Sequence, residues 1–382
     1  MGIKKSIAKL LKAVKHRKVN NFFKKNFKKK VLLSYATAPF RHHSFSHTNY
    51  YEAYTAAEIF DELGYLVDVV DYDYKLKNVE CYDIIYGFGE SIEFFYKKNF
   101  LNKTKIILYN TGMHQFTQNV NTLKRIRDVQ IRKQKWLIDS ARLTDHSWFR
   151  QLVLCDAVIT LGNKVSKKSF FNHYNGSLYA INAPFYKTKN HFEILKMKDP
   201  LAKTSFIWFG SSGLIHKGLD LCLDFFKLNP HLTLHVCGNI QNEREFINFY
   251  REELYHTENI INHGFIDIES SKFEKILKSS FFAIFPTCSE GGSPSLLSLV
   301  GNGALIPVMT KEATVDIPKA FIIKELNNLG INKAIQETQE ISLENLKKYA
   351  LENANFVVEN NSTARYKREL KLIISEIILN KL

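Results

Sequence analysis

Cysteine, long apolar runs and acidic residues near the start are what this 382-residue sequence has least of. The five cysteines (Cys81, Cys155, Cys222, Cys237 and Cys288) are dispersed and odd in number, with no Cys-x-x-Cys spacing. That offers no thiolate metal site and suits a reducing compartment. Apolar runs are all short, so no membrane-spanning helix is expected. Lysines interrupt every early apolar stretch, which argues against a signal peptide. The letters of an Asp-x-Asp metal motif occur once, at Asp71-Tyr72-Asp73, after a strand of the first half, and no metal is expected.

Charge is abundant but uneven. The chain holds 53 basic and 38 acidic residues, net +15, and 12 of the basic ones fall in residues 1–30 with no acid among them. The remaining 352 residues carry 41 bases against 38 acids, so the body is nearly neutral and the basicity is a tail. Within the tail Ile3, Ile7, Leu10, Leu11 and Val14 fall on one helical face, and Phe22, Phe23 and Phe27 add apolar anchors among lysines. A basic amphipathic segment of this kind predicts attachment to an anionic membrane surface, each lysine contributing about 1 kcal/mol. A solubilising tail, or a helix packed on the body, stands beside that reading. No nucleic-acid recognition module accompanies the charge.

At this length, with 45% hydrophobic residues, the chain supports two domains with ordinary cores. From residue 31 strands and helices alternate. Strands are expected at 31–35, 66–72, 83–87, 105–109, 157–161 and 178–181, with a helix over 50–63 stopped by Gly64. Residues 121–155 read as helical and basic, a solvated face more often than a binding surface. Residues 186–203 lose periodicity and read as a linker. A second alternating block follows, with strands at 205–209, 232–237 and 260–261, and helices at 217–226, 242–252 and 270–278. A domain over 31–185, another over 204–365 and a last helix within 366–382 crossing back to the first domain are therefore expected. Both blocks read as doubly wound parallel sheets, an α/β chain of two Rossmann-like domains facing a cleft.

The most informative stretch follows the apolar run Phe281–Phe285. Pro286-Thr287-Cys288-Ser289-Glu290-Gly291-Gly292-Ser293-Pro294-Ser295 breaks a strand and opens a helix through Leu296, Leu297, Leu299 and Val300. Free backbone N–H groups at such a helix start suit an anion, and the acid ahead of the glycines suits hydroxyls. Upstream, Gly210-Ser211-Ser212-Gly213, Gly238-Asn239 and Gly264-Phe265 end strands on the same sheet edge, and Lys217-Gly218 begins a helix.

Together these runs resemble the donor-binding segments of GT-B-fold, retaining nucleotide-sugar glycosyltransferases of the large group 1 family. The resemblance covers about residues 204–310. Glu290 matches the family's first Glu, Gly291-Gly292-Ser293 its glycine turn, and Gly303-Ala304-Leu305-Ile306-Pro307-Val308 the exit to the next strand. Ser298 stands where the family has a second Glu, and Ser211 where it has an Arg.

The resemblance implies transfer of a sugar from a nucleotide-sugar to a surface-polysaccharide or lipid-linked glycan, without a metal or other cofactor, at the cytoplasmic face of a membrane. It implies that Lys217 meets the diphosphate and that Glu290 holds donor hydroxyls. Gly210, Ser211, Gly238, Gly264, Phe265, Gly291, Gly292, Ser293, Ser295, Leu296 and Ser298 complete the implied donor site. His114, in the loop Asn110–His114, matches a loop His beside the transferring sugar, while His42, His43 and His47 form a second His-bearing loop. A non-catalytic GT-B relative serving as a membrane-attached scaffold is the alternative, and an epimerase or glycogen-type synthase of the same fold a third.

Overall fold

The computed structural model describes residues 18–42, 47–76, 81–97, 104–144 and 148–379. The apolar face Ile3–Val14 and His43 lie outside the described residues.

Val/Ile/Leu-rich segments that are buried on both faces form parallel sheets, because crossover helices cover each side. The first such sheet contains β1 (Lys29–Tyr35), β2 (Tyr65–Asp71), β3 (Ile84–Gly87), β4 (Lys105–Asn110), β5 (Ala157–Leu161) and β6 (Ser177–Ile181), in the order β2-β1-β3-β4-β5-β6. The second contains β7 (Ser205–Phe209), β8 (Thr233–Cys237), β9 (Ile260–Gly264), β10 (Phe282–Phe285), β11 (Ile306–Met309) and β12 (Phe321–Ile322), in the order β12-β11-β10-β7-β8-β9. Every pairing between these strands is parallel. Strand order reverses between β7 and β10, which opens a crevice beyond their carboxyl ends. Two doubly wound α/β domains are thus present.

Five helices position the rest: α1 (Thr48–Glu62), α2 (Gln115–Lys133), α3 (Leu219–Lys227), α4 (Pro294–Gly303) and α5 (Thr363–Leu379). The last of these lies on α1, with Tyr366, Leu370, Ile374 and Ile377 buried in the first domain's core. Tyr51 donates to the Thr363 carbonyl at 2.9 Å, and Lys367 pairs with Glu58 and Glu62 at 3.0 Å. A buried carboxylate anchors this corner: Glu52 accepts from Tyr35 at 2.8 Å and from Tyr109 at 3.0 Å, and Tyr109 meets Tyr366 at 2.9 Å.

Several sequence expectations change. The basic region 121–155 is not one helix, and only part of it, with Lys124, Arg127 and Lys135, is a solvated face. Helix α2 stops at Gln134, whose φ is +54°, and Leu137 beyond it is buried in the second domain's core with Ile126 and Val129. Three cations of α2 face aspartates of α3, while Lys124 and Arg127 are exposed. Arg125 bonds both Asp220 oxygens at 2.7 and 2.9 Å, Arg132 reaches Asp220 at 2.6 Å and also pairs with Asp224, and Lys133 reaches Asp224 at 2.6 Å. Helix α2 therefore bolts one domain to the other.

Residues 186–203, expected as a linker without periodicity, lie between the last strand of one sheet and the first of the other and are partly helical. They hold a helix, His191–Lys196, and Asn302 at the end of α4 accepts the Thr188 and Lys189 amides at 2.7 and 2.9 Å. In the tail, Val19 pairs with Val69 at the outer edge of β2, and Phe22 packs edge-on to Phe40 at 4.9 Å and Tyr54 at 6.0 Å. The first domain, rather than a bilayer, receives that ring. No described helix is long and apolar enough to cross a membrane.

The α2–α3 bolt carries a stability prediction. Arg125 and Asp220 are 3% and 0% exposed, so removing one charge strands its partner in low dielectric. Asp220→Asn is expected to cost about 3 kcal/mol in denaturant unfolding. A cost below about 0.5 kcal/mol, the level of a surface substitution, would show that the bolt is not needed.

Candidate functional site

Two loops from the crevice edge build the site. After β10 the chain turns through Pro286–Glu290; after β7 it runs through Gly210–Gly218 into α3. They approach so closely that a Cβ on Gly218 would lie 2.2 Å from the Pro286 carbonyl oxygen, and Gly218 itself has φ +69°. Only glycine meets both demands. This left-handed residue delays the helix to Leu219, which corrects the expectation that Lys217 starts it. Lys217 instead lies in a turn, its amide bonded to the Gly213 carbonyl at 2.8 Å, its carbonyl held by Trp208 Nε1 at 3.1 Å and its side chain buried. Its Nζ donates to Glu290 Oε1 and sits 5.8 Å from the Phe285 ring centroid.

His216 locks the Pro286–Glu290 loop in place. The Ser289 carbonyl can only accept, so Nε2 carries the proton, and Nδ1 accepts from Thr122 Oγ at 2.7 Å. Burial pushes this imidazole down to about 3, so it is neutral at any ordinary pH. The Cys288 amide reaches the His216 carbonyl at 2.9 Å, and Asn121 of α2 reaches the Cys288 carbonyl at 2.9 Å. Glu243 steadies the other loop, accepting the Gly213 amide and, at 3.2 Å, that of Leu214.

Electrostatics at the pair are asymmetric. Burial alone raises the Glu290 carboxyl, but Lys217, Arg142 and His216 overcome it and hold it down at about 2. Lys217 is pulled below its ordinary value by burial and by Arg142, with Glu290 opposing. The carboxylate has two permanently positive neighbours, Lys217 and Arg142, whereas the ammonium has a carboxylate on one side and a cation on another. The carboxylate therefore gains more from the cluster than the ammonium does.

A cavity of about 380 Å³ opens beside Glu290, lined by Tyr72, Thr111, Gly112, Gln118, Arg142, Leu143, Thr144, Ser289 and Gly291 as well. Both domains contribute. A hollow of about 420 Å³ beside Tyr255 and Asn262 lies at edge strand β9, away from this charge cluster. Gly291 sits where the domains meet: a Cβ there would be 1.9 Å from the Thr111 carbonyl oxygen. His47, the N-cap of α1, feels the charges of Arg142 and Lys217; burial first, then those two cations, lower its pKa.

The other expected residues scatter. Gly210, Gly238 and Gly264 are stitched along the sheet edge, Gly210 N to the Cys237 carbonyl at 3.0 Å and Gly238 N to the Gly264 carbonyl at 2.7 Å. Ser211 and Phe265 are exposed beyond the cavity. Gly292 donates to Thr314 Oγ at 2.7 Å, and Ser293 Oγ to the Ala313 carbonyl at 2.7 Å. Leu296 is buried core, Ser295 is half-buried, and Ser298 Oγ bonds back to the Pro294 carbonyl at 2.9 Å within α4.

His114 does not line the cavity. It caps α2 by accepting the Phe116 amide at 3.2 Å and stacks on His173 at 4.1 Å between centroids; burial and His173 lower it to about 4. Asp71 of the Asp-x-Asp letters accepts from Thr37 N at 2.7 Å. Among the described residues no group of three or more His, Cys, Asp or Glu side chains is placed to hold a metal ion. Arg142 and Gln118 carry no motif in the sequence and were not expected at the site, whereas Thr111 and His216 lie in expected segments but were not singled out themselves.

Neither a protein-family model nor a curated protein sequence matches the chain. Solved structures do. HepE from Anabaena, solved with UDP and glucose, is 10% identical with a TM-score of 0.58 over 92% of this chain and 100% of its own. A glycosyltransferase from Rickettsia africae ESF-5 is 11% identical with a TM-score of 0.60 over 93% and 100%. WaaG, a glycosyltransferase involved in lipopolysaccharide biosynthesis, is 12% identical with a TM-score of 0.53 over 90% and 99%.

Glu290→Gln tests the buried pair. Its carboxyl is depressed, so the stability it adds is complete above the unfolded value of about 4.3 and is lost as pH falls toward 2. The variant is expected to be about 3 kcal/mol less stable at pH 7, with a shallower loss of stability between pH 4.5 and 2. An unchanged acid limb would contradict the assignment. The architecture around this pair is the GT-B fold that these glycosyltransferases share.

Proposed function

We propose that this chain is a nucleotide-sugar-dependent glycosyltransferase whose donor lies against Lys217 and Glu290. The observation that carries the reading is the buried lysine–glutamate pair at the strand-order reversal, whose Glu290 lines an interdomain cavity. Open α/β sheets bind ligands at that reversal. In HepE the same fold holds UDP and glucose.

Chemistry follows from the geometry. Transfer forms a bond from the acceptor oxygen to the sugar's anomeric carbon and breaks the bond from that carbon to the diphosphate. The acceptor proton passes to the leaving phosphate oxygen. Charge grows on the diphosphate as its bond breaks, and a fixed ammonium aimed there stabilises the transition state more than the ground state. Lys217 fills that role, exchanging Glu290 for phosphate, and the freed carboxylate accepts hydrogen bonds from donor hydroxyls. A fixed cation of this kind lets the step proceed without a metal.

The first domain's loops after β1 and β4, with His47 and Thr111, form the acceptor side. His114, committed to capping and stacking, takes no part. A surface or lipid-linked glycan is the acceptor class that suits the basic tail, and WaaG gives a lipopolysaccharide precedent for the fold. Retention of anomeric configuration and attachment to the inner face of a membrane complete the proposal.

A thermal-shift panel with UDP, GDP, ADP, CMP and dTDP tests it. One nucleotide at 100 times its Kd is expected to stabilise by about 2.7 kcal/mol, and Lys217→Ala to abolish the shift. No shift at millimolar concentration with any of the five would instead favour the scaffold reading.

A further inference from the structure

A diphosphate carries more negative charge than one lysine balances, and Lys217 already faces Glu290. Position 211, on the turn beside it, is an uncharged serine. The second domain's own turn therefore brings one cation to this point. Another arrives from the opposite wall.

Arg142 belongs to the loop after α2, yet its stem crosses the second domain's Gly210–Gly213 turn. A Cβ placed on Gly213 would come within 3.0 Å of Arg142 Cδ and 3.3 Å of its Cβ. It lines the same cavity as Glu290 and Gly291. It is exposed to that space, and among the described residues its guanidinium has no hydrogen-bond or ion-pair partner. Its charge is felt by Glu290, Glu243, Lys217, His216 and His47. With His216 neutral, Lys217 is paired with Glu290, while Arg142 lies near Glu290 and Glu243 without a hydrogen bond to either, so its guanidinium fork is open to the cavity.

The loop is held, not loose. Asn119 of α2 accepts the Thr144 amide at 2.8 Å and donates to the Thr144 carbonyl at 2.9 Å, while Gln118 reaches Thr144 Oγ at 2.8 Å. Helix α2 is in turn fixed to α3 through Arg125 and Asp220. The bolt between domains thus sets where the guanidinium stands.

We propose that Arg142 of the first domain binds the donor's diphosphate opposite Lys217, so that diphosphate recognition needs both domains. Arginine suits the task because its planar fork grips phosphate oxygens in pairs. A nucleoside lacks the phosphates and gains nothing from it. This proposal rests on the glycosyltransferase reading.

Titration calorimetry tests it with pyrophosphate, with whichever of UDP, GDP, ADP or dTDP binds, and with the matching nucleoside. Arg142→Ala is expected to weaken pyrophosphate and the nucleotide by about 10- to 100-fold while leaving the nucleoside unchanged. Arg142→Lys should keep part of the affinity. Adding Ser211→Arg to Arg142→Ala should restore much of it, since the new side chain starts on the turn that Arg142 crosses. Equal diphosphate affinity in wild type and Arg142→Ala overturns the proposal and leaves the glycosyltransferase reading standing. So does an equal loss for nucleoside and nucleotide, which marks a structural role. Failure of the wild type to bind any of the diphosphates removes both.

Discussion

The contact between Lys217 and Glu290 is the constraint on which the rest of the site depends. Both side chains are less than a tenth exposed, so neither charge is tolerable without the other or a substitute. Holding them together requires two loops to touch at Gly218 and Pro286, His216 to fix the Ser289 carbonyl, and Glu243 to tie down the Gly213 turn. A buried ion pair whose members each have another task is a poised arrangement. In the proposed function an incoming anion relieves the lysine, and incoming hydroxyls relieve the carboxylate.

The second organising feature is the α2–α3 bolt. Cations on a helix of one domain meet aspartates on a helix of the other, with Ile126 and Val129 buried beneath them. A site formed between two domains needs their spacing defined, and this contact defines it beside the cavity. It also explains why Gly291 approaches the Thr111 carbonyl too closely for any side chain. The loops after β4 and β10 are thus in direct contact across the domains.

Much of the fold was legible in the sequence because local signals carried it. Apolar runs such as Val31–Tyr35 and Phe281–Phe285 became buried strands, and Gly64 stopped α1. The resemblance placed Lys217 and Glu290 on neighbouring turns, and the structure brings their side chains together. What the sequence hid is long-range. The charges of Arg125, Arg132 and Lys133 look solvated until Asp220 and Asp224, about a hundred positions away, are set opposite them. Arg142 belongs to no motif, and only the packing of two domains brings it to Gly213. His114 shows the reverse, since the loop histidine singled out in the sequence caps a helix and stacks on His173 instead of lining the cavity.

The most direct test of the account is a crystal structure of the protein soaked with the nucleoside diphosphate it binds. The account predicts the diphosphate within hydrogen-bond distance of Lys217 Nζ, the Lys217–Glu290 contact broken, and Arg142 on the opposite side of the phosphates. A diphosphate bound elsewhere, with Lys217 still held by Glu290, would contradict it.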